Sequence, residues 1–177
     1  MGSCGVAVAD GSGSNMLQRA LAFARAGYRV ALWHDSDREL DAAELQQLED
    51  AGVARFFWDE PNSTEMEMFA SIHDDGVLSL VELAREWNGA VSVNDQIEAR
   101  RPGFDVDMDL LGYSADERAA LGAVATKGKW FKTVSYAETM GRDVVGPNLA
   151  ASNGRLVETI DAVRAWILNE PAEDEGA

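Results

Sequence analysis

Over residues 5–73 short apolar runs alternate with amphipathic segments, and that order admits few folds. Gly5-Val6-Ala7-Val8-Ala9 is apolar and followed by Asp10-Gly11-Ser12-Gly13, which predicts a buried strand ending in a glycine loop. Ser14 is placed to cap a helix with Leu17, Leu21 and Ala24 on one face, closed by Gly27. Tyr28 to Trp33 reads as a second strand, apolar without strict alternation, as in a sheet covered on both faces. It runs into His34-Asp35-Ser36-Asp37. Asp41 and Glu44 have the spacing of a capping pair before a helix carrying Leu45 and Leu48, and Gly52 closes it. Val53 to Trp58 reads as a third strand, and Ser63 can cap a third helix through Phe69 and Ile72. The order β-α-β-α-β-α implies an α/β fold with a parallel sheet and right-handed crossovers.

After residue 75 the pattern changes to helices. Val77 to Trp87 is helical in spacing, and Ala90 to Val93 is either a short fourth strand or the opening of a helix. Ser114 and Glu117 have capping-box spacing for a helix to Thr126. Leu156, Ile160, Val163 and Ile167 line one face of a helix over 155–168. The expected organisation is an α/β core over 5–75, a mainly helical part over 76–168 and an acidic, proline-containing tail over 169–177. An apolar share of 46% supports a real core and argues against wholesale disorder. No apolar run approaches membrane-spanning length, so no membrane partner is expected. The single cysteine, Cys4, excludes an internal disulfide framework and a cysteine-based zinc cluster, and it points to a reducing, cytoplasmic setting. His34 and His73 are too few for a histidine-rich metal site.

Thirty-one acidic residues face fifteen basic ones, a net charge of −16. Taken alone this argues against nucleic acid, whose binders usually carry a basic footprint. It also fits simple solubility, or carboxylates gathered around divalent cations. In a parallel sheet, ligands bind outside the carboxyl ends of the strands. Asp10 follows the first expected strand, Asp35 and Asp37 follow the second, and Glu65 and Glu67 open the helix after the third. Charges so gathered repel unless a cation intervenes, and oxygen ligands without Cys or His favour Mg²⁺ or Mn²⁺ over zinc. Each carboxylate also has a plain reading as a cap, a turn residue or a solvated charge. Gly11-Ser12-Gly13-Ser14-Asn15-Met16 lacks the third glycine of a dinucleotide fingerprint and is no Walker loop. It reads as a tight turn that lets a helix N-terminus approach the site.

Lys127-Gly128-Lys129-Trp130-Phe131-Lys132 is a basic island in an acidic chain. Trp130 and Phe131 read as core anchors. Lys132, with Lys129 as its substitute, can offset charge on a phosphorane-like transition state, or either is simply solvated. His34, His73, Cys4, Met66, Met68, Met108 and Met140 read as structural, and Arg100-Arg101 as an exposed loop within reach of DNA phosphates.

Taken in order, these motifs resemble a known family. Asp10-Gly11-Ser12-Gly13, His34-Asp35-Ser36-Asp37, Glu65 in Thr64-Glu65-Met66-Glu67-Met68-Phe69, and Trp130-Phe131-Lys132 resemble the Toprim domain, the metal-binding module of topoisomerases, primases and certain nucleases. The version here is similar to the C-terminal nuclease region of OLD (overcoming lysogenisation defect) family proteins of the class 2 type, over roughly residues 5–140. The resemblance implies a Toprim-like parallel sheet flanked by helices and a metal-dependent DNA endonuclease. Two Mg²⁺ or Mn²⁺ ions would lie on Asp10, Asp35, Asp37 and Glu65, with Glu67 assisting and Lys132 neutralising charge. It further implies a parent protein with an N-terminal ABC-type ATPase region, through which a homodimer can form. Asp10 stands where the family usually has glutamate, and the shorter side chain suits metal binding better than general-base work. Three rivals stay open. A haloacid-dehalogenase-type phosphotransfer hydrolase wants Asp-x-Asp after the first strand, whereas here the pair follows the second and continues Arg38-Glu39. A receiver module wants an acidic pair on the first strand, where this chain has Asp10 alone. The third is a catalytically silent Toprim-like scaffold.

Overall fold

A computed structural model of the chain describes residues 5–11, 13–36, 40–59, 61–107 and 112–169. Cys4, Ser12, Asp37, Arg38, Glu39, Met108 and the tail 170–177 lie outside the described residues. The chain is mixed α/β, mostly helical, and forms two compact units: Met1–Pro61 with Thr159–Ala177, and Asn62–Glu158.

In the first unit α1 (Met16–Arg25), β1 (Ala31–His34), α2 (Ala42–Asp50) and β2 (Ala54–Phe57) follow the apolar spacing. β1 and β2 pair in parallel, from Ala31 opposite Ala54 to His34 opposite Phe57. Leu17 and Leu21 of α1, Leu32 of β1, Leu48 of α2 and Val53 form one buried cluster between helices and strands. The cap of α2 is the capping box read from the sequence: Glu44 N donates to Asp41 Oδ1 at 2.8 Å and Asp41 N to Glu44 Oε2 at 3.0 Å. The helix α1 instead follows a 3₁₀ turn and starts from Asn15, which makes no side-chain cap bond.

The strand expected over Gly5–Ala9 does not form, so among the described residues the sheet has two strands. Gly5 and two alanines bring little of the side-chain surface that rewards strand pairing, Val8 is 86% exposed, and Gly5 turns with φ +70°. The second strand starts at Ala31 rather than Tyr28, because the Tyr28 N–H closes α1 on the Phe23 carbonyl and its ring stands edge-on to Phe23.

The second unit holds α3 (Thr64–Ser71), α4 (Asp74–Asn88), α5 (Ala90–Arg100), α6 (Ala115–Gly128) and α7 (Val134–Met140). From α7 the chain runs without a break through a π turn, Gly141–Val145, into the short α8 (Gly146–Asn148). α3, read above with the α/β part, packs along α6 in this unit. Ala90–Val93 opens α5 and is no strand: Val93 and Ile97, four apart, are buried while Val91 is exposed. The last helix, α9 (Gly154–Leu168), ends in the first unit, where the Arg29 guanidinium lies 4.4 Å over the Trp166 ring and donates to the Ile167 carbonyl. Among the described residues no helix is long and apolar enough to cross a membrane.

The capping box of α6 gives a first testable result. The Ser114 hydroxyl and backbone N–H, then the Arg101 guanidinium, hold the Glu117 carboxyl below the usual glutamate range, against a partial desolvation. A carboxyl depressed in the folded state stabilises it fully above the unfolded pKa. That contribution is lost as pH falls through the depressed folded pKa. Ser114→Ala is expected to cost about 1 kcal/mol at neutral pH in urea unfolding. The deficit should shrink when both proteins are unfolded under acid conditions that protonate Glu117. A pH-independent deficit would show that Glu117 takes no part in the cap.

Candidate active site

The helix α3 is held at three points along its length. Ser63 caps it, accepting from Met66 N at 3.3 Å, and its hydroxyl also bonds Thr126 Oγ1 of α6 at 2.7 Å. At the far end Arg118 of α6 donates to the Phe69 and Ile72 carbonyls at 2.8 and 2.6 Å, and to Asp74 Oδ1 at 2.5 Å. Between these points Gly122 lets the two helices touch, since a Cβ there would stand 2.8 Å from Met66 Cα. The backbone carrying Glu65 and Glu67 is thereby fixed.

Both glutamates sit in the first turn of α3, where the helix end favours negative charge, and both are buried, at 4% and 3% exposure. Their surroundings differ. Glu67 is satisfied within its own helix region, Asn62 Nδ2 donating to Oε2 at 2.9 Å and Ser71 Oγ to Oε1 at 2.5 Å. Glu65 has Oε1 3.5 Å from Lys132 Nζ, while its Oε2 is buried with no hydrogen-bond partner among the described residues. A buried carboxylate oxygen without a protein partner is costly, and such a group calls for an ordered water, an ion or a catalytic role to account for it. Glu65 is thus the carboxylate with capacity to spare, and Glu67 is a brace.

Lys132 is aimed by the residues before it. The helix α6 ends with Lys129 in the left-handed conformation, φ +56°, so that Trp130 N bonds back to the Ala125 carbonyl at 3.1 Å. Trp130 is fully buried, edge-on to Phe69, and its Nε1 donates to Gln96 Oε1 at 3.1 Å. Phe131 is buried too, so Lys132 leaves the core beside Glu65 with its own side chain about half exposed. Of the two lysines the sequence offered for charge neutralisation, Lys132 is the one that reaches a site carboxylate.

In the first unit Asp35 directly follows β1 and is half-buried, and His34 Nδ1 lies 2.8 Å from the Asp35 carbonyl. Ser36 Oγ donates to the Trp58 carbonyl, tying together the segments that follow β1 and β2. Asp10 is exposed, and its carbonyl accepts from Arg19 at 2.6 Å. Asp37 lies outside the described residues. Among the described residues no three of His, Cys, Asp and Glu gather closely enough to hold a metal ion. Arg101 is no free loop residue, being paired with Glu117 at 3.2 Å. The sequence reading missed Arg118, Asn62 and Ser71; nothing in their spacing marks them, because each acts on a carbonyl or carboxylate that only folding brings near.

No protein-family model, no curated protein and no solved structure matches this chain. Its function is read from the chemistry of these side chains.

Proposed function

We propose that this chain is a divalent-metal-dependent DNA endonuclease of the Toprim type, akin to the nuclease region of OLD family proteins, and that it works beside an ABC-type ATPase region. The observation that carries this reading is Glu65: a buried carboxylate at a helix N-terminus, one oxygen against a surface lysine and the other unmet. A hard cation suits that free oxygen. The resemblance assigns Asp10, Asp35, Asp37 and Glu65 to two Mg²⁺ or Mn²⁺ ions, which when bound would supply a hydroxide at neutral pH and stabilise the leaving oxygen. Asp35 lies at the carboxyl end of a parallel strand, the edge where such sheets bind ligands. Lys132 holds a fixed positive charge where a pentacoordinate phosphate gains negative charge, and Glu65 and the buried Trp130-Phe131 pair hold that charge in place.

Supercoiled plasmid incubated with Mg²⁺ or Mn²⁺ tests this. Wild type is expected to nick or linearise it, Lys132→Ala to lose roughly 10²–10³-fold in rate, and Asp37→Ala to lose at least as much. Cleavage that survives chelation, or that both variants leave unchanged, overturns the assignment.

A further inference from the structure

All three lysines of this chain, Lys127, Lys129 and Lys132, fall within six consecutive residues of a protein with net charge −16. Five arginines of the same unit are already spent: Arg85, Arg101, Arg118, Arg142 and Arg155 each hold a carboxylate within 3.6 Å. Of the lysines, Lys132 lies against Glu65 at 3.5 Å, and the other two hold no carboxylate among the described residues. Lys127 and Lys129 are exposed, and their ammonium groups have no partner among the described residues. Lys129 is held out at the end of α6 in a left-handed conformation that glycine would adopt without strain. Beside the island stands an aromatic pair. The Trp87 and Tyr136 rings stack 4.2 Å apart at 12°, both half-buried, and Trp87 is edge-on to Phe131, the residue before Lys132. Asn88 binds the Trp130 carbonyl at 3.3 Å, which fixes the end of α4 against the island.

We infer that Lys127 and Lys129, with the Trp87–Tyr136 stack, form a docking surface for a single-stranded nucleic-acid segment leading to Lys132 and Glu65. Unpaired lysines meet phosphates as compact, mobile charges. Stacked aromatic rings with accessible surface receive unpaired bases, whereas duplex bases are already stacked on one another. Two free lysines are few for a duplex but serve a short strand. The choice of substrate strand at the active site rests on the nuclease reading; the docking surface itself does not.

The test is binding of a fluorescent oligothymidylate of about ten nucleotides, within the ~4–16 nucleotide span of single-strand sites, to the full chain in EDTA. A duplex of equal length and a polyglutamate peptide serve as competitors. The expected result is binding that weakens with salt and prefers the single strand. With Lys127→Ala and Lys129→Gly together, affinity should fall about tenfold at low salt, and the slope of log K against log salt should lose about 1.4, ~0.7 per phosphate contact. Both positions are exposed and glycine fits the left-handed φ, so folding should be kept; Tyr136→Leu, which spares the lysines, should weaken single-strand binding alone. Binding indifferent to the double substitution, a preference for duplex, or displacement by polyglutamate at matched charge overturns the proposal. Cleavage in Mn²⁺ with such indifferent binding removes the docking surface and leaves the nuclease. Lysine-dependent binding without cleavage does the reverse.

Discussion

Glu65→Gln should abolish metal-dependent cleavage and leave the protein at least as stable as wild type. The isosteric amide keeps the shape of α3 and removes a charge that is 4% exposed and has one oxygen unmet. The favourable interaction lost is a 3.5 Å pair with Lys132, whose half-exposed ammonium water solvates in its place. A site carboxylate should cost the rate roughly 10²-fold or more, on the scale of losing one transition-state contact. Glu67, two residues on and equally buried, should behave in the opposite way. It accepts from Asn62 and Ser71, so Gln at that position turns an amide N–H₂ toward a donor, and the fold should lose roughly 1–3 kcal/mol. Thermal unfolding and plasmid cleavage of the two variants side by side decide the matter. Near-normal cleavage by Glu65→Gln, or a clear fall in its Tm, would show that Glu65 is there for the fold.

Trp130→Ala is expected to produce the largest loss of stability, about 3–5 kcal/mol. Trp130 has no exposed surface, meets Phe69 and Phe131 edge-on with ring centroids 6.3 Å away in each case, and donates its indole N–H to Gln96. Its backbone N–H also closes α6 on the Ala125 carbonyl. Truncation leaves a cavity and an unmet Gln96 oxygen, and a domain of ordinary stability, ~5–15 kcal/mol, has little margin for both. Trp130→Phe refills most of the volume and gives up the hydrogen bond, so it should recover more than half of the deficit. Urea unfolding followed by circular dichroism measures both. A cost below ~1 kcal/mol for the alanine variant would contradict the burial of this ring. The same substitution should slow cleavage beyond what unfolding explains, because Lys132 takes its direction from the anchor two residues before it.

How much of this was legible beforehand depended on the range of the interaction. The capping boxes Asp41/Glu44 and Ser114/Glu117 and the Ser63 cap stand where their spacing put them, because each closes within three residues. The helix faces through Leu17 and Leu21 and through Val77 and Leu80 follow from period 3.6 alone. The parallel pairing of β1 and β2 follows from two apolar runs separated by a helix. Short segments were harder. Gly5–Ala9 reads as a strand and pairs with no strand among the described residues, the cap expected at Ser14 gives way to Asn15, and Ala90–Val93, which reads either way, becomes helix.

By itself, then, the sequence determined the caps of α2, α3 and α6, the amphipathic faces, the parallel strand pair and the pool of carboxylates and lysines from which a site can be drawn. Tertiary structure alone decided that, among the described residues, Glu65 keeps a free oxygen while Glu67 is fully engaged, Lys132 rather than Lys129 reaches Glu65, and Lys127 and Lys129 are left without partners. The physical reason is one of distance along the chain. Caps and periodicities are settled by bonds a few residues long. The environment of a buried charge is set by groups such as Lys132, 67 positions beyond Glu65, which only the packing of α3 on α6 brings within reach.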